Sequence, residues 1–172
     1  MLLLDHEWTD LLDIRTEPLT SDAAGTLISA LNTELAARYP EPGANHFRLD
    51  ASDVAPGSGG FVVARLLDRP VGCGALRCLR APEDIRELGP RVGELKRMYV
   101  APDMRGRGIG RTLLARLEGE ARRLGLTRVV LETGTRQLEA IALYRSAGFA
   151  PIDPYGEYVA SRDTSVCMAK QL

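Results

Sequence analysis

Residues 105–110, with the sequence Arg-Gly-Arg-Gly-Ile-Gly, constrain the possible folds of this chain more than any other segment. They follow an apolar, strand-like segment at residues 94–100 and precede a helical pattern at residues 111–124. In such a strand–turn–helix unit, the unpaired N–H groups at the helix start and the helix dipole attract an anion. Glycines allow close approach of the backbone, and Arg105 and Arg107 carry forked donors that suit phosphate oxygens. The segment therefore predicts a site for a phosphate-bearing ligand.

The spacing of the glycines excludes two common phosphate-binding loops. The dinucleotide fingerprint Gly-x-Gly-x-x-Gly, counted from Gly106, needs its last glycine at the position of Arg111. The P-loop needs a Lys followed by Ser or Thr after its last glycine, whereas Gly110 is followed by an Arg-Thr pair. The pattern that fits is Arg-x-x-Gly-x-Gly, formed by Arg105, Gly108 and Gly110.

The loop arginines belong to a cationic segment inside a nearly neutral chain. The 172 residues have a formal net charge of −1, yet residues 91–136 contain eleven Lys or Arg and five Asp or Glu. This local excess favours a small polyanionic ligand over attraction to nucleic acid or to a membrane. No aromatic residues that could stack on bases lie among the arginines, so we expect no nucleic-acid and no membrane partner. Arg116, Arg122 and Arg123 are expected to form a solvated helix face.

The cysteines and the N-terminal residues predict a cytoplasmic protein without a bound metal. Cys73, Cys78 and Cys167 have no metal-ligand spacing, and buried reduced thiols fit a reducing compartment. On one regular strand Cys73 and Cys78 would face opposite sides. The N-terminal leucines are too few, and too close to charged residues, for a signal peptide or a membrane span.

Hydrophobic periodicity predicts strands and helices along the whole chain. Thr20 or Ser21 caps a first helix that extends to about Tyr39, where prolines stop it. Gly125 and Gly148 end two further helices. The predicted helices span residues 21–39, 111–124 and 137–147, and the predicted strands span residues 8–15, 61–67, 71–79, 94–100, 127–132, 149–152 and 165–169.

In this setting the loop resembles the pyrophosphate-binding loop of the GCN5-related N-acetyltransferases, the GNAT family. The strand before it, the helix after it, a second strand and a Tyr-bearing helix at residues 137–147 all come in the family's order. The resemblance covers the second half of the chain well and the first half by pattern only. It implies an α/β fold of mixed α+β character, with a mostly antiparallel sheet of about six to seven strands and helices on both faces. It also implies a single N-acetyltransferase domain over residues 1–172.

The resemblance implies that the phosphate-bearing ligand is acetyl-CoA. In the family, the strand before the loop and its neighbour splay apart, and the pantetheine arm of the cofactor lies between them. The matching backbone groups belong to Met98 and Val100. The cofactor-binding residues implied in this way are Met98, Tyr99, Val100, Arg105, Gly106, Arg107, Gly108, Ile109, Gly110 and Arg111.

Acetyl transfer to an amine needs a base for the ammonium, a donor to the oxyanion and an acid for the leaving thiolate. Tyr144 matches the family's helical tyrosine, which acts as the acid; its alternative role is that of a core aromatic side chain. Glu94 matches a position at which some members carry a base. The alternatives for Glu94 are a solvent-exposed carboxylate at a strand edge or an ionic partner of Lys96 or Arg97. The backbone N–H of Met98 is implied as the oxyanion donor.

The acceptor pocket is assigned to the least regular parts of the sequence. His46, Tyr155, Glu157 and Tyr158 are its candidate residues, and Glu157 would attract a cationic amine. We expect a primary amine of a small molecule as the acceptor, with protein lysines as the alternative. Arg136 stands near the place where many family members have an Asn that contacts the pantetheine.

Two classes of function remain open from the sequence. The first is an acetyl-CoA-dependent N-acetyltransferase that transfers the acetyl group directly, without a covalent acyl-enzyme. The second is a non-catalytic module, a sensor or structural partner, that binds acyl-CoA. Homodimers are common in the family, and one is possible here.

Overall fold

The computed structural model describes residues 9–42, 48–80 and 83–172. Seven strands form one sheet: β1 Leu12–Thr16, β2 Gly59–Leu66, β3 Arg69–Leu79, β4 Val92–Val100, β5 Arg128–Gly134, β6 Ala150–Ile152 and β7 Ser165–Gln171. The helices are α1 Asp22–Arg38, α2 Ile109–Arg123 and α3 Leu138–Ser146, and short 3-10 turns lie at Thr9–Leu11, Ala51–Val54, Glu83–Leu88, Pro102–Met104 and Gly156–Ser161.

The strands lie in the order β1-β2-β3-β4-β5-β7-β6. Neighbours are antiparallel except for β4 and β5, which are parallel because helix α2 carries the chain back between them. The predicted mixed, mostly antiparallel sheet of about six to seven strands is confirmed.

Helices cover both faces of the sheet, as the sequence predicts. Leu117 of α2 and Tyr144 of α3 belong to one apolar cluster on one face. Leu27 of α1 packs with Phe61 of β2 in a second cluster on the other face. No helix in the described parts of the chain has the length and apolar character needed to cross a membrane.

The predicted elements are confirmed, with shifts at their ends that have local causes. Ser21 caps α1, and its Oγ accepts a hydrogen bond from the N–H of Ala24 at 3.1 Å. Strand β1 begins at Leu12 rather than at residue 8, because a 3-10 turn precedes it and Leu12 pairs with Leu66, the last residue of β2. Helix α2 begins two residues before its predicted start, because Gly108 takes a left-handed φ of 79° as the N-cap.

The cysteines are free thiols, and Cys73 and Cys78 lie on opposite sides of β3 as predicted. Burial raises the pKa of Cys73 to about 12 and that of Cys167 to about 11. At neutral pH both are therefore protonated apolar side chains of the core.

A β-bulge in β4 decides which side chains face which side of the sheet. Cys73 of β3 pairs with Tyr99, whereas Ala75 pairs with Lys96, so two residues of β4 lie opposite one residue of β3. Arg97 lies in the bulge, with a left-handed φ of 56°. Before the bulge, alternate residues of β4 (Val92, Glu94 and Lys96) share one face; after it, Met98 and Val100 pack on the α2 side and Tyr99 on the α1 side.

Strands β4 and β5 separate halfway along their length. Their parallel pairing runs from Val92 opposite Arg128 to Leu95 opposite Leu131. Both strands continue, to Val100 and Gly134, but no further pair joins them in the described structure. The sheet therefore has a gap between the bulged end of β4 and the end of β5.

We predict that Leu117→Ala lowers the free energy of unfolding by about 2–5 kcal/mol, because it removes a fully buried side chain that joins α2 to the sheet. Urea unfolding followed by circular dichroism measures the change. Arg116→Ala, on the exposed side of the same helix turn, is the control and should change the free energy by less than about 0.5 kcal/mol. Equal losses in the two variants would contradict this packing.

Candidate active site

A cleft of about 370 Å³ lies at the open end of the gap. The glycine loop, the start of α2, helix α3 and the end of β4 form its walls. Nine of the ten residues predicted to bind the cofactor line it, and Arg107 is the exception. Tyr144, the predicted acid, lines the same cleft.

The loop has the backbone geometry that its glycines predict. Gly106 and Gly108 have φ values of 78° and 79°, in the region that glycine adopts at low cost. The N–H groups of Ile109, Gly110 and Arg111 form the first turn of α2 and have no acceptor within the helix. An anion in the cleft would meet these donors and the positive end of the helix dipole.

Close packing of α2 against α3 explains the third glycine of the loop. A Cβ on Gly110 would lie 3.2 Å from Cδ2 of Leu143, tighter than an ordinary contact. The missing side chain therefore allows α3 to approach, and it brings Tyr144 to the cleft. An open gap in the sheet, a helix N-terminus and a glycine loop together fit an extended ligand with a phosphate group, as acetyl-CoA is.

Arg105 is bound to protein groups in this structure. Its Nε donates to the carbonyl of Val100 at 2.9 Å, and its Nη2 donates to Glu34 at 2.6 Å. The guanidinium also lies 5.7 Å from the centre of the Tyr99 ring. Arg105 thus ties the loop to β4 and α1, and a contact with phosphate remains a prediction.

A cavity of about 90 Å³, which we call the junction cavity, lies at the gap between β4 and β5. Tyr144 and Met98 line both this cavity and the cleft, and Tyr158 lines both this cavity and a third pocket. Its other polar lining residues are Lys96, Arg97, Glu132, Thr133 and Gln137. Helix α3 and the 3-10 turn Gly156–Ser161, which we call the Tyr158 segment, lie on opposite faces of the sheet, so the junction cavity has walls from both faces.

The third pocket, which we call the charged pocket, has a volume of about 360 Å³. Tyr155, Glu157 and Tyr158, three of the predicted acceptor residues, line it together with Glu94. His46, the fourth, lies outside the described residues. The pocket also contains charges that the sequence did not single out, on Asp53, Arg77 and Arg80.

Glu94 is the centre of a buried hydrogen-bond network. It is 1% exposed, so the alternative of a solvent-facing strand edge is wrong. Arg77 donates to its Oε2 from Nε and Nη2, at 3.0 and 2.8 Å, and the Tyr158 hydroxyl donates to its Oε1. Lys96 Nζ lies 3.7 Å from the same Oε1. Glu94 is therefore an ionic partner chiefly of Arg77, and its role as a base remains a prediction.

Lys96 lies between the charged pocket and the junction cavity. Its side chain is 5% exposed, and its ammonium donates to Glu157 at 3.0 Å and to the Tyr158 hydroxyl at 3.2 Å. These bonds and the nearby Glu94 compensate for the burial of a charge that would otherwise be very costly.

Three tyrosines of the site are held in their neutral form. Burial raises the pKa of Tyr144, Tyr155 and Tyr158 well above the usual range for a phenol. The Tyr144 ring packs edge-on against Phe149, with 5.8 Å between the ring centres. A protonated phenol in a cleft wall can donate a proton or a hydrogen bond at neutral pH.

Glu132 is a site residue that the sequence reasoning missed. Burial raises its pKa from 4.5 to about 7, while Ser165 Oγ donates to its Oε1 at 2.7 Å. The sequence feature that could have identified it is its position: Glu132 is the single acidic residue of residues 127–132, a segment predicted to be a buried strand. Arg77 and Lys96 were also missed as site residues, because their partners come from distant segments.

Arg136 lies outside these cavities. Its Nη2 donates to Glu41 at 2.6 Å and its Nη1 to the carbonyl of Arg38 at 2.7 Å. Its backbone N–H donates to the Tyr39 hydroxyl at 2.8 Å. The side chain therefore joins α1 to the β5–α3 connection. In the described part of the chain no group of His, Cys, Asp and Glu has a metal-binding arrangement.

Known proteins match this chain over most of its length. A model of the Acetyltransferase (GNAT) family matches residues 10–149. An IAA acetyltransferase from Azospirillum brasilense is 43% identical over 144 residues, which cover 84% of this chain and 87% of that protein. A candidate acyl-CoA N-acyltransferase from Klebsiella pneumoniae has a TM-score of 0.72 at 31% identity, covering 94% of this chain and 98% of the other. A candidate acetyltransferase from Salmonella typhimurium, solved with its cofactor acetyl-CoA, shares the fold with a TM-score of 0.64 at 20% identity and covers 94% of each chain.

We predict that Glu132→Gln stabilises the protein at high pH only. The folded state keeps Glu132 protonated up to about pH 7, whereas the unfolded chain loses that proton near its usual value of 4.5. Stability linked to this group therefore falls as the pH rises from about 4.5 to about 7. Above that pH range the free energy of unfolding of Glu132→Gln should exceed that of the wild-type protein by up to about 3 kcal/mol. Below the range the two proteins should have the same free energy of unfolding. Urea unfolding at both ends of the range tests this, and the same difference at both would contradict it.

Proposed function

The chain belongs to the acetyltransferase (GNAT) family and is an N-acetyltransferase, and we propose that it moves an acetyl group from acetyl-CoA directly to the primary amine of a small molecule. One observation carries the proposal: the junction cavity lies between a cleft suited to the cofactor, with which it shares Tyr144 and Met98, and a charged pocket, with which it shares Tyr158. A thioester on one side and an amine on the other would meet where β4 and β5 separate.

The start of α2 and the end of β4 are the groups that would hold acetyl-CoA. The N–H groups of Ile109, Gly110 and Arg111 would bind its pyrophosphate, since an anion is stabilised at a helix N-terminus. Backbone groups of Met98 and Val100 border the gap and would bond the pantetheine arm. Bound there, the cofactor supplies an activated acetyl thioester.

Tyr144 is proposed to protonate the leaving thiolate. It lines both the cleft and the junction cavity, and burial keeps its phenol protonated. The N–H of Met98, beside the bulge, is proposed as the donor that stabilises the oxyanion.

The charged pocket is proposed to receive the acceptor. Its lining carries charges of both signs, with Asp53 and Glu157 on the acidic side and Arg77 and Arg80 on the basic side, which suits a molecule with both an amine and an anionic group. A pocket of about 360 Å³ has the size of a small-molecule site. An amine with a carboxylate fits this charge pattern better than a simple aliphatic amine does.

The experiment is a screen of primary amines with acetyl-CoA, with thiol release as the readout. The panel contains the proteinogenic amino acids, tryptamine, spermidine and a lysine peptide. Turnover is expected with at least one amine that also carries a carboxylate. Acetyl-CoA binding without turnover of any amine would favour the non-catalytic acyl-CoA-binding module instead.

We predict that Gly108→Glu abolishes the calorimetric heat of acetyl-CoA binding. The substitution forces a side chain into a φ of 79° and places a carboxylate at the helix N-terminus, where the phosphates would bind. Gly119→Glu is the matched control, because it adds the same charge at an open position on the exposed side of α2. Equal affinities of the two variants would place the phosphates elsewhere.

We predict that Tyr144→Phe lowers kcat by about 10²–10⁴-fold, since general acid catalysis typically contributes that much. Its affinity for acetyl-CoA should stay within about threefold of the wild-type value, because only the hydroxyl is lost. Steady-state kinetics on the best amine of the panel, together with calorimetry, separate the two effects. An unchanged kcat would mean that Tyr144 only packs against Phe149.

A further inference from the structure

Glu132 occupies the point at which β4 and β5 separate. The parallel register ends with Leu95 opposite Leu131, so the next residues on the two strands are Lys96 and Glu132. Both line the junction cavity, together with Tyr144. Glu132 thus lines the cavity that lies between the cleft and the charged pocket.

The two carboxylates at the gap, Glu94 and Glu132, differ in the hydrogen bonds that they accept from protein groups. Both oxygens of Glu94 accept hydrogen bonds, and Arg77 holds one of them with two donors. Protein donors therefore already occupy both oxygens of Glu94, which is 1% exposed. Glu132 accepts one neutral hydrogen bond, from Ser165, on Oε1.

The charged surroundings of Glu132 partly cancel, so burial is the main influence on its pKa. Lys96 on β4 lowers the pKa of Glu132, whereas Glu94 on β4 and Glu157 on the Tyr158 segment raise it. Other titratable groups that interact with Glu132 are the neutral Tyr144, Tyr155, Tyr158 and Cys167, and Arg97 lines the same cavity. Burial brings the pKa to about 7, close to the pH at which a base must exchange protons efficiently.

We infer that Glu132, rather than Glu94, is the general base that deprotonates the acceptor amine in the junction cavity. The inference rests on the proposed function and deepens it. Glu94 then serves as a positioning residue that fixes Arg77, Tyr158 and Lys96 around the charged pocket.

The proton balance of the transfer is complete with these two residues. Glu132 takes one proton from the ammonium, directly or through a water molecule, and leaves a lone pair on nitrogen. The N–C bond forms as the thioester C–S bond breaks, and the Tyr144 phenol gives its proton to the departing sulfur. The second proton from the acylated nitrogen returns to the Tyr144 phenolate, and Glu132 releases its proton to solvent. One proton is released overall.

The test compares Glu132→Gln with Glu94→Gln in pH profiles of kcat/KM on the best amine of the panel. The wild-type enzyme should lose activity about tenfold per pH unit below about pH 7. We call this fall in kcat/KM at low pH the acid limb. Glu132→Gln should lower kcat by about 10²–10⁴-fold and should no longer show the acid limb, while Glu94→Gln should still show it. Glu132→Asp, which retains a carboxylate, should recover part of the rate.

A second readout does not depend on turnover. With ¹³C-labelled glutamate, the free wild-type protein should show one carboxyl resonance that titrates with a midpoint near pH 7 and is missing in Glu132→Gln. Glutamine preserves an oxygen acceptor for Ser165, so the variant should fold and bind acetyl-CoA.

The outcomes separate the two proposals. A Glu132→Gln enzyme that keeps the acid limb overturns the inference, even if kcat falls, while wild-type turnover still supports the proposed function. Loss of the limb in Glu94→Gln but not in Glu132→Gln would restore Glu94 as the base. No wild-type turnover of any amine would overturn both proposals.

Discussion

The separation of β4 from β5 is the constraint on which the rest of the structure depends. A continuous parallel ladder would close the sheet, and the two faces would then be isolated from each other. The pairing of β4 with β5 ends at Leu95, and the bulge at Arg97 follows within two residues and turns Met98 and Val100 towards α2. The cleft and the junction cavity both include Met98 from this unpaired end of β4.

Opening a sheet in this way exposes backbone and charged groups that must find partners. The buried charges at the gap are arranged accordingly: Arg77 and Lys96 face Glu94, and Lys96 also reaches Glu157. Such a network adds little net stability over an apolar core, but breaking it would leave a buried charge uncompensated. It therefore keeps the side chains around the charged pocket in one arrangement.

The sequence was sufficient for the elements and for the backbone conformation of the glycine loop, because both depend on local patterns. The glycines that adopt φ values near 79°, and the apolar residues that recur at helical spacing, can each be recognised from a few neighbouring residues in the sequence. The partners of Glu94 were not visible, since Arg77 and Tyr158 come from segments 17 and 64 residues away. The unusual environment of Glu132 likewise exists only where β5 meets β7 and the Tyr158 segment.

The contacts of Arg105 show how a loop can be prepared for a phosphate without its most obvious cation. Arg105 binds the carbonyl of Val100 and the carboxylate of Glu34, so part of its charge is neutralised inside the cleft. Arg38 pairs with the same Glu34 and with Glu139, which also lines the cleft. Arg111 also lines the cleft and donates to the neutral Ser146 Oγ at 2.9 Å. An anion in the cleft would therefore meet Arg111 and the fixed N–H groups at the start of α2. What Arg105 contributes is the rigidity that holds those donors at the end of β4.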